Sequence, residues 1–396
     1  MKENTIEKLE SNDCCGCSAC YQRCPKNAIV MVENNEGFLY PKIDKSKCVN
    51  CGLCVKSCPQ LNKTIEKKEK FPKAYAVYNK NNGELLESSS GGMFSVIANA
   101  VLEKSGVVIG ASYDRDNNVK HVCIDNKKDL YKLRGSKYVQ SDINETYKLA
   151  EENLNQGKLV LFTGTPCQVA GIKSFLGKDY DNLILVDIVC HGVPNQKLFR
   201  KYLNWLGNKY NSEVISYNFR SKEKRGWGLT AKVVFKNGNI KYISSDNDPY
   251  YNNFLECKTY RRSCYQCHYT SFTRESDITL ADYWGILSVH PEFYSEKGVS
   301  LILVNSEKGN KIFNDISDNI NYIETDIEKA ARKNINLKRP SEKPEIRENI
   351  YNGIQKKDDI AFINENLKIE FDLKKKIKSM VPYQVKLMIK NIRRKK

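Results

Sequence analysis

Hydrophobic and polar positions alternate along the middle of the chain in blocks that predict strands and helices in turn. Short, almost wholly apolar runs predict buried strands, whereas apolar residues spaced three and four apart predict helices. The predicted strands are 74–77, 107–111, 159–163, 183–189, 230–235, 240–243, 278–282 and 299–304. The predicted helices are 92–104, 143–156, 168–176, 196–209 and 309–316. This order indicates an α/β fold (α+β in its detail), in which helices cover a mixed sheet.

The pattern changes on both sides of this α/β region, and the changes divide the 396 residues into four parts. Residues 63–72 are charged, lack apolar periodicity and are interpreted as a linker. Beyond residue 335 the strand signals stop and polar, helical sequence follows. The predicted parts are a cysteine-rich domain at 1–62, the linker at 63–72, an α/β domain at 73–335 and a helical, basic tail at 336–396.

The cysteine-rich domain repeats the spacing C-x2-C-x2-C-x3-C-P after 34 positions. In bacterial two-cluster ferredoxins with this spacing, the fourth cysteine of each run binds the other cluster. We therefore expect a first 4Fe–4S cluster held by Cys14, Cys17, Cys20 and Cys58. We expect a second one held by Cys48, Cys51, Cys54 and Cys24. Zinc is the alternative, but structural zinc sites use one tetrahedral set of four ligands, usually from two separated pairs.

Four of the six cysteines in the α/β region are candidate ligands. Cys264 and Cys267 form a C-x2-C pair, whereas Cys167 and Cys190 each follow a predicted strand. Ligands collect at the ends of such strands, and a helix N-terminus favours thiolate. The residues alone leave open a third 4Fe–4S cluster, a structural zinc ion, a redox dithiol at 264 and 267, or a nucleophile at 167. The remaining cysteines are interpreted as bystanders or spare thiols: Cys15, Cys123 and Cys257.

Two segments have the small residues and cations that suit a phosphate. The segment SSSGGMF at 88–94 opens a helix with paired glycines, whose backbone N–H groups are able to cradle a pyrophosphate. The segment RGSKY at 134–138 supplies two cations in a tight turn. Each segment taken alone is equally compatible with an ordinary turn or a surface loop.

Taken together, the segments SSSGGMFS, RGSKYVQS, GTPCQ, VCHG, RSCYQC and SDITLADYWG resemble the beta-subunit family of coenzyme F-420 hydrogenases and dehydrogenases. The resemblance extends from about Cys14 to about Val304 and is greatest to bacterial members with an N-terminal two-cluster ferredoxin. It implies FAD in the α/β domain and a third 4Fe–4S cluster on Cys167, Cys190, Cys264 and Cys267. It also implies flavin contacts from Ser90, Gly91, Gly92, Arg134 and Lys137.

The resemblance implies an iron–sulfur flavoprotein oxidoreductase with an unidentified small-molecule substrate. Clusters transfer single electrons, and a flavin links them to two-electron chemistry. The expected electron partner is a ferredoxin-like carrier or a separate redox subunit. One alternative is a non-catalytic electron-transfer subunit that feeds a partner enzyme. Another is a zinc-ribbon protein that binds nucleic acid, but the intact ferredoxin runs and the composition of the tail argue against specific nucleic-acid binding.

Charge is concentrated at the C-terminal end. The net charge is +17, and residues 374–396 contain ten Lys or Arg and no acidic residue. Apolar residues at helical spacing make this a basic amphipathic end, which either docks on anionic lipid or an acidic partner or stays a solvated helix. The first ten residues are polar, no apolar run is long enough to span a bilayer, and the cysteines are read as ligands. A cytoplasmic location is therefore expected.

Overall fold

The computed structural model describes residues 4–62, 72–369 and Val385. The strands are β1 (Ile29–Glu33), β2 (Leu39–Ile43), β3 (Lys73–Asn79), β4 (Val107–Tyr113), β5 (Val119–Ile124), β6 (Val160–Gly164), β7 (Leu183–Ile188), β8 (Val214–Asn218), β9 (Thr230–Phe235), β10 (Ile240–Ser244), β11 (Ile278–Asp282), β12 (Ser300–Val304) and β13 (Ile320–Thr325). The helices are α1 (Ala19–Gln22), α2 (Leu53–Lys56), α3 (Asn82–Glu87), α4 (Met93–Glu103), α5 (Leu130–Leu133), α6 (Thr146–Asn155), α7 (Pro166–Leu176), α8 (Gln196–Lys209), α9 (Pro249–Leu255), α10 (Ile286–Val289), α11 (Glu307–Asp315), α12 (Ile327–Ala331), α13 (Ile346–Gly353) and α14 (Asp359–Asn366).

One mixed sheet of eight strands organises the α/β region, in the order β13-β3-β12-β11-β7-β6-β4-β5. β4, β6, β7 and β11 pair with one another in parallel, and all the other neighbours pair antiparallel. The central strands are apolar along most of their length because helices cover both faces of the sheet. The predicted α/β fold with a mixed sheet is confirmed. Two smaller sheets accompany it, β1-β2 near the N-terminus and β10-β9-β8.

The start of α7 shows how the sequence fixes the end of a central strand. Thr165 is the N-cap, and Gln168 completes a capping box with it, which satisfies two otherwise unpaired backbone groups. Pro166 occupies the first helical position, where its missing N–H has no cost. The turn from β6 into α7 is therefore short and rigid, and it holds Cys167 at the carboxyl end of the sheet.

The helices beyond residue 335 belong to the packed core. Ile350, Tyr351, Phe362 and Ile363 are buried in the same apolar cluster as α8 and the three-stranded sheet. The domain boundary predicted at residue 335 therefore falls within a packed unit. The basic segment 374–396 lies outside the described residues apart from Val385. No helix in the described part of the chain has the length and apolar character needed to cross a membrane.

The N-terminal cysteine-rich unit packs directly on the α/β region. Gln22 at the end of α1 accepts a hydrogen bond of 2.9 Å from the backbone N–H of Tyr147 in α6. On the other side, Glu36 forms an ion pair with the buried Arg347 at 2.7 Å. These contacts fix the two runs of cysteines relative to the carboxyl ends of β6 and β7.

Candidate iron-sulfur sites

The ligand set predicted for the second cluster lies together in the N-terminal unit. Cys24 from the first run lines the same pocket as Cys48, Cys51 and Cys54 from the second. The backbone N–H of Ala28 donates to the Cys24 sulfur at 3.3 Å. Cys51 is exposed, so this pocket lies at the surface of the protein. The geometry is consistent with the crossed ligation expected from the spacing.

The ligand set predicted for the first cluster lies deeper. Burial raises the pKa of Cys20, and the neighbouring thiols of Cys14 and Cys58 raise it further. Cys58 in turn acts electrostatically on Cys17. Burial raises the pKa of Cys58 to about 12, so the thiol is neutral at physiological pH unless iron replaces its proton. Cys58 from the second run thus lies among three cysteines of the first.

The four candidate ligands of the α/β region line one cavity of about 160 Å³. They are Cys167, Cys190, Cys264 and Cys267. Cys167 is the second residue of α7 and Cys190 lies two residues beyond β7, so neighbouring parallel strands bring them together. Cys264 lies in the 3-10 turn Arg262–Gln266, and Cys267 follows that turn directly. Four thiols from three separate segments therefore converge at the carboxyl edge of the sheet.

Hydrogen-bonding groups lie at these four sulfurs. The backbone N–H of Gly192 donates to Cys190, and that of Val193 donates to Cys264. The hydroxyl of Thr165 lies 3.2 Å from the Cys167 sulfur. Such donors stabilise thiolate and are one of the ways in which proteins adjust the potential of an iron–sulfur cluster. Even so, burial raises the pKa of the Cys190 thiol to about 12.

The donor set fits a 4Fe–4S cluster. Within the described residues, no three His, Cys, Asp or Glu side chains converge on the position of a single metal ion. The four thiols instead surround a cavity, and a cluster of several irons separates its ligands by its own width. A single tetrahedral zinc ion would require the sulfurs to meet around one point.

Cys15 also lines this cavity, although the sequence led us to expect a bystander. Its side chain hydrogen-bonds to Cys17 of the first ligand set and to Cys167 of the cavity. That expectation is corrected: Cys15 is a buried fifth thiol between two ligand sets. Its place inside the first run gave no signal of this contact, because Cys167 approaches it only through the docking of the two regions.

Two of the residues predicted to contact a flavin, Arg134 and Lys137, are engaged by the protein. Arg134 donates to Ser95 at 3.0 Å and forms ion pairs with Glu84, at 3.0 Å, and with Glu87. Lys137 is directed at the backbone, where it caps the carbonyl groups of residues 132, 133 and 134. Burial lowers the pKa of Lys137 to about 7. Neither cation faces an open phosphate site.

The predicted phosphate cradle is packed against the large sheet. Ser90 donates to the carbonyl of Val299 at 3.1 Å, and the N–H of Gly91 donates to the hydroxyl of Ser300 at 2.9 Å. Gly92 adopts a positive φ and serves as the N-cap of α4. As arranged here, polar groups of Ser90, Gly91, Arg134 and Lys137 form hydrogen bonds with other groups of the protein.

Two buried cations that the sequence did not indicate hold the segment before Gly91. Arg220 donates to the carbonyl of Ser89 at 3.1 Å, and Lys222 donates to that of Ser90 at 2.6 Å. Arg220 also pairs with Asp282 at 2.6 Å. Both cations lie in the loop after β8, and their link to residues 89 and 90 is a tertiary contact that no local spacing reveals.

Comparison with known proteins identifies both regions. Residues 157–330 match the family described as the C terminus of the coenzyme F420 hydrogenase/dehydrogenase beta subunit. Residues 13–62 and 40–90 match 4Fe-4S dicluster domains. A chain of the F420-reducing [NiFe] hydrogenase complex from Methanosarcina barkeri matches with 17% identity, 78% coverage of this chain, 92% of that chain and a TM-score of 0.44. No curated protein matches. Residues 157–330 therefore match the C-terminal domain of the coenzyme F420 hydrogenase/dehydrogenase beta-subunit family, and residues 13–62 match a 4Fe-4S dicluster domain.

Proposed function

We propose that this iron–sulfur redox protein is an oxidoreductase with three 4Fe–4S clusters and FAD. The observation that carries the proposal is the convergence of Cys167, Cys190, Cys264 and Cys267 on one cavity beside the ferredoxin-type unit. When bound, the clusters supply one-electron transfer and FAD supplies the change to two-electron chemistry on an organic substrate. The substrate class is that of an unidentified coenzyme or small molecule, similar in its two-electron chemistry to F-420.

The first ligand set lies between the other two, and Cys20 within it interacts electrostatically with Cys54 of the second set. The second set reaches the surface at Cys51, where a ferredoxin-like carrier or a partner redox subunit has access. The first set is buried, and Cys17 within it contacts Cys15, which reaches Cys167 of the third set. The role of the polypeptide is to hold the three sets in this order and to keep water from the first set, whose four cysteines are buried.

The placement of FAD rests on the family resemblance. Ser90, Gly91, Gly92, Arg134 and Lys137 remain its predicted contacts, although their polar groups are engaged by the protein here. An observation thus favours a second candidate function, a non-catalytic electron-transfer subunit that feeds a separate enzyme. Flavin content of the purified protein separates the two candidates.

The test is an anaerobic preparation of the full chain with iron, sulfide and flavin quantified. Three clusters give about 12 irons per chain, and two give about eight. We expect Cys167→Ala and Cys267→Ala each to lower the count by about four, whereas Cys123→Ala, which removes a thiol of β5, leaves it unchanged. A wild-type count of about eight contradicts the third cluster. If iron-replete protein neither contains FAD nor takes it up, the proposal that the protein binds FAD is contradicted.

We further propose a cytoplasmic location, in keeping with a chain whose cysteines serve as ligands. The basic segment 374–396 is proposed to dock on an anionic membrane surface or an acidic partner. Sedimentation with anionic vesicles at low and high salt, with and without this segment, tests the membrane contact. Equal sedimentation of both forms contradicts it.

A further inference from the structure

Among the described residues, four arginine side chains are almost completely buried, and three of these have a carboxylate partner. The three ion pairs are Arg220 with Asp282 at 2.6 Å, Arg274 with Asp187 at 2.9 Å and Arg347 with Glu36 at 2.7 Å. Arg261 is the fourth, with none of its surface exposed. In the part of the chain that the structure describes, no carboxylate forms an ion pair with Arg261. A buried charge without an opposite charge is strongly unfavourable.

The contacts of Arg261 are to neutral groups. Its guanidinium donates to the carbonyl of Cys14 at 2.6 Å, to that of Leu39 at 2.9 Å and to the side-chain oxygen of Gln140 at 3.2 Å. It also lies 4.1 Å from the centre of the Tyr40 ring. These groups accept from three of its five N–H donors and hold it in place, but none of them carries a negative charge.

The anionic groups that could balance Arg261 belong to two different ligand sets. Arg261 interacts electrostatically with the thiols of Cys14, in the first set, and Cys264, in the third. The fifth thiol, Cys15, lies within the same range.

The pocket of the second set, in contrast, is lined by the exposed Lys26 and by no arginine among the described residues. Arg274 also lines the cavity of the third set, but it is paired with Asp187. Arg261 is therefore a buried cation without a carboxylate partner that stands between the first and third sets.

We propose that Arg261 is the shared counter-cation of the first and third ligand sets, and that it raises the reduction potentials of their clusters relative to that of the second. For the third set, this inference rests on the proposed function. For the first set, it rests on the ferredoxin unit alone. Each reduction adds one electron from the external one-electron carrier and one negative charge, with no bond formed or broken. A fixed cation stabilises the added charge, and charge and hydrogen bonding near the sulfurs are what set such potentials. Arg261 thereby favours electron transfer from the second cluster to the first and third.

The test compares the full-chain wild type with Arg261→Gln and Arg261→Lys, all prepared anaerobically. Iron is counted, and the midpoint potentials are obtained by redox titration followed by electron paramagnetic resonance. We expect Arg261→Gln to shift the first and third clusters to lower potential relative to the second. Arg261→Lys, which keeps the charge, should recover most of the shift. The control is Arg347→Gln combined with Glu36→Gln, which removes an ion pair from the same interface without changing the net charge.

The outcomes separate this inference from the proposed function. Unchanged potentials in iron-replete Arg261→Gln, or an equal shift of all three clusters, overturn the role of Arg261. If Arg261→Gln loses iron and Arg261→Lys retains it, the positive charge is what matters and the proposal is supported. Equal loss of iron in both variants shows a purely structural role and overturns the proposal. A wild type with about eight irons removes the third cluster, and the shift of the first cluster then decides the inference alone.

Discussion

Gly171 in α7 lies directly against Cys17 of the N-terminal unit. A Cβ at position 171 would stand 3.0 Å from the Cβ of Cys17 and 3.3 Å from its sulfur. It would also stand 2.6 Å from the hydroxyl oxygen of Tyr147. Since Cys167 lies one turn earlier on the same helix, this close approach sets the separation between the first and third ligand sets.

Gly171→Ala is expected to separate the two regions slightly. The added methyl group forces both Cys17 and Tyr147 to move, and overpacking of this kind costs about 1–3 kcal/mol. We expect a lower thermal midpoint and an altered electron paramagnetic resonance spectrum of the first cluster. The matched control is Gly83→Ala in α3, where the nearest atom to the added carbon is 3.4 Å away. Equal behaviour of the two variants would show that the contact at Gly171 is loose.

Much of this architecture could be predicted from the sequence, because it depends on local patterns. The buried strands β6 and β7 are short apolar runs, and the ferredoxin runs have a fixed spacing. In the α/β region, the strands that the pattern missed are β5, β8 and β13. β5 and β13 are the two edges of the large sheet, and β8 is an edge of the small one. Edge strands leave one side to solvent, so polar residues interrupt their apolar pattern.

The parts of the site that the sequence did not reveal depend on long-range contacts. Arg261 and the carbonyl of Cys14 are 247 positions apart, and nothing within either segment indicates that they meet. Conversely, the sequence spacing of Arg134 and Lys137 suggested an anion site. The same spacing does not show the groups with which the two cations pair in the fold. Glu84 and Glu87 lie some 50 positions before Arg134 and neutralise it. Spacing identifies a ligand set, but it does not show which charges the fold has already paired.

Crossed ligation predicts which cysteine variants resemble one another. Cys24 shares its pocket with Cys51, although the two belong to different runs. We therefore expect Cys24→Ser and Cys51→Ser to lose the same cluster and to give the same residual spectrum. Cys17→Ser should give a different one, with the surface cluster retained. If Cys24→Ser instead resembles Cys17→Ser, each run binds its own cluster and the crossed assignment is wrong.

Gly91→Val separates the packing role of Gly91 from a role in phosphate binding. A phosphate cradle predicts that this variant loses flavin while remaining folded. The structure predicts loss of stability, because a Cβ at 91 would overlap the carbonyl oxygen of Val77 and stand 2.6 Å from the backbone nitrogen of Ser300. We expect a large fall in the thermal midpoint and in soluble yield, whether or not flavin is supplied. Unchanged stability with reduced flavin content would support a role of Gly91 in phosphate binding.

Protonation of His121 should make stability depend on pH. Its ring lies between the hydroxyl of Ser141, at 2.7 Å, and the carbonyl of Thr163, at 2.9 Å. The Thr163 carbonyl can only accept, so the imidazole donates to it from Nε2 and accepts from Ser141 at Nδ1 in the neutral form. Burial lowers the pKa of His121 to about 4 in the folded chain. The unfolded chain has the ordinary value of about 6.5 and binds the proton more readily.

The contribution of His121 is therefore complete above about pH 6.5 and is lost as the pH falls towards 4. Between pH 7.5 and 5.5 the loss amounts to about 1 kcal/mol in the free energy of unfolding. The measurement is the thermal midpoint of the anaerobic protein across this range, compared with His121→Gln. The variant is expected to be less stable at pH 7.5 but to lose less on acidification, since glutamine does not titrate. Parallel curves for the two proteins would mean that His121 is already protonated in the folded state or is reached by water.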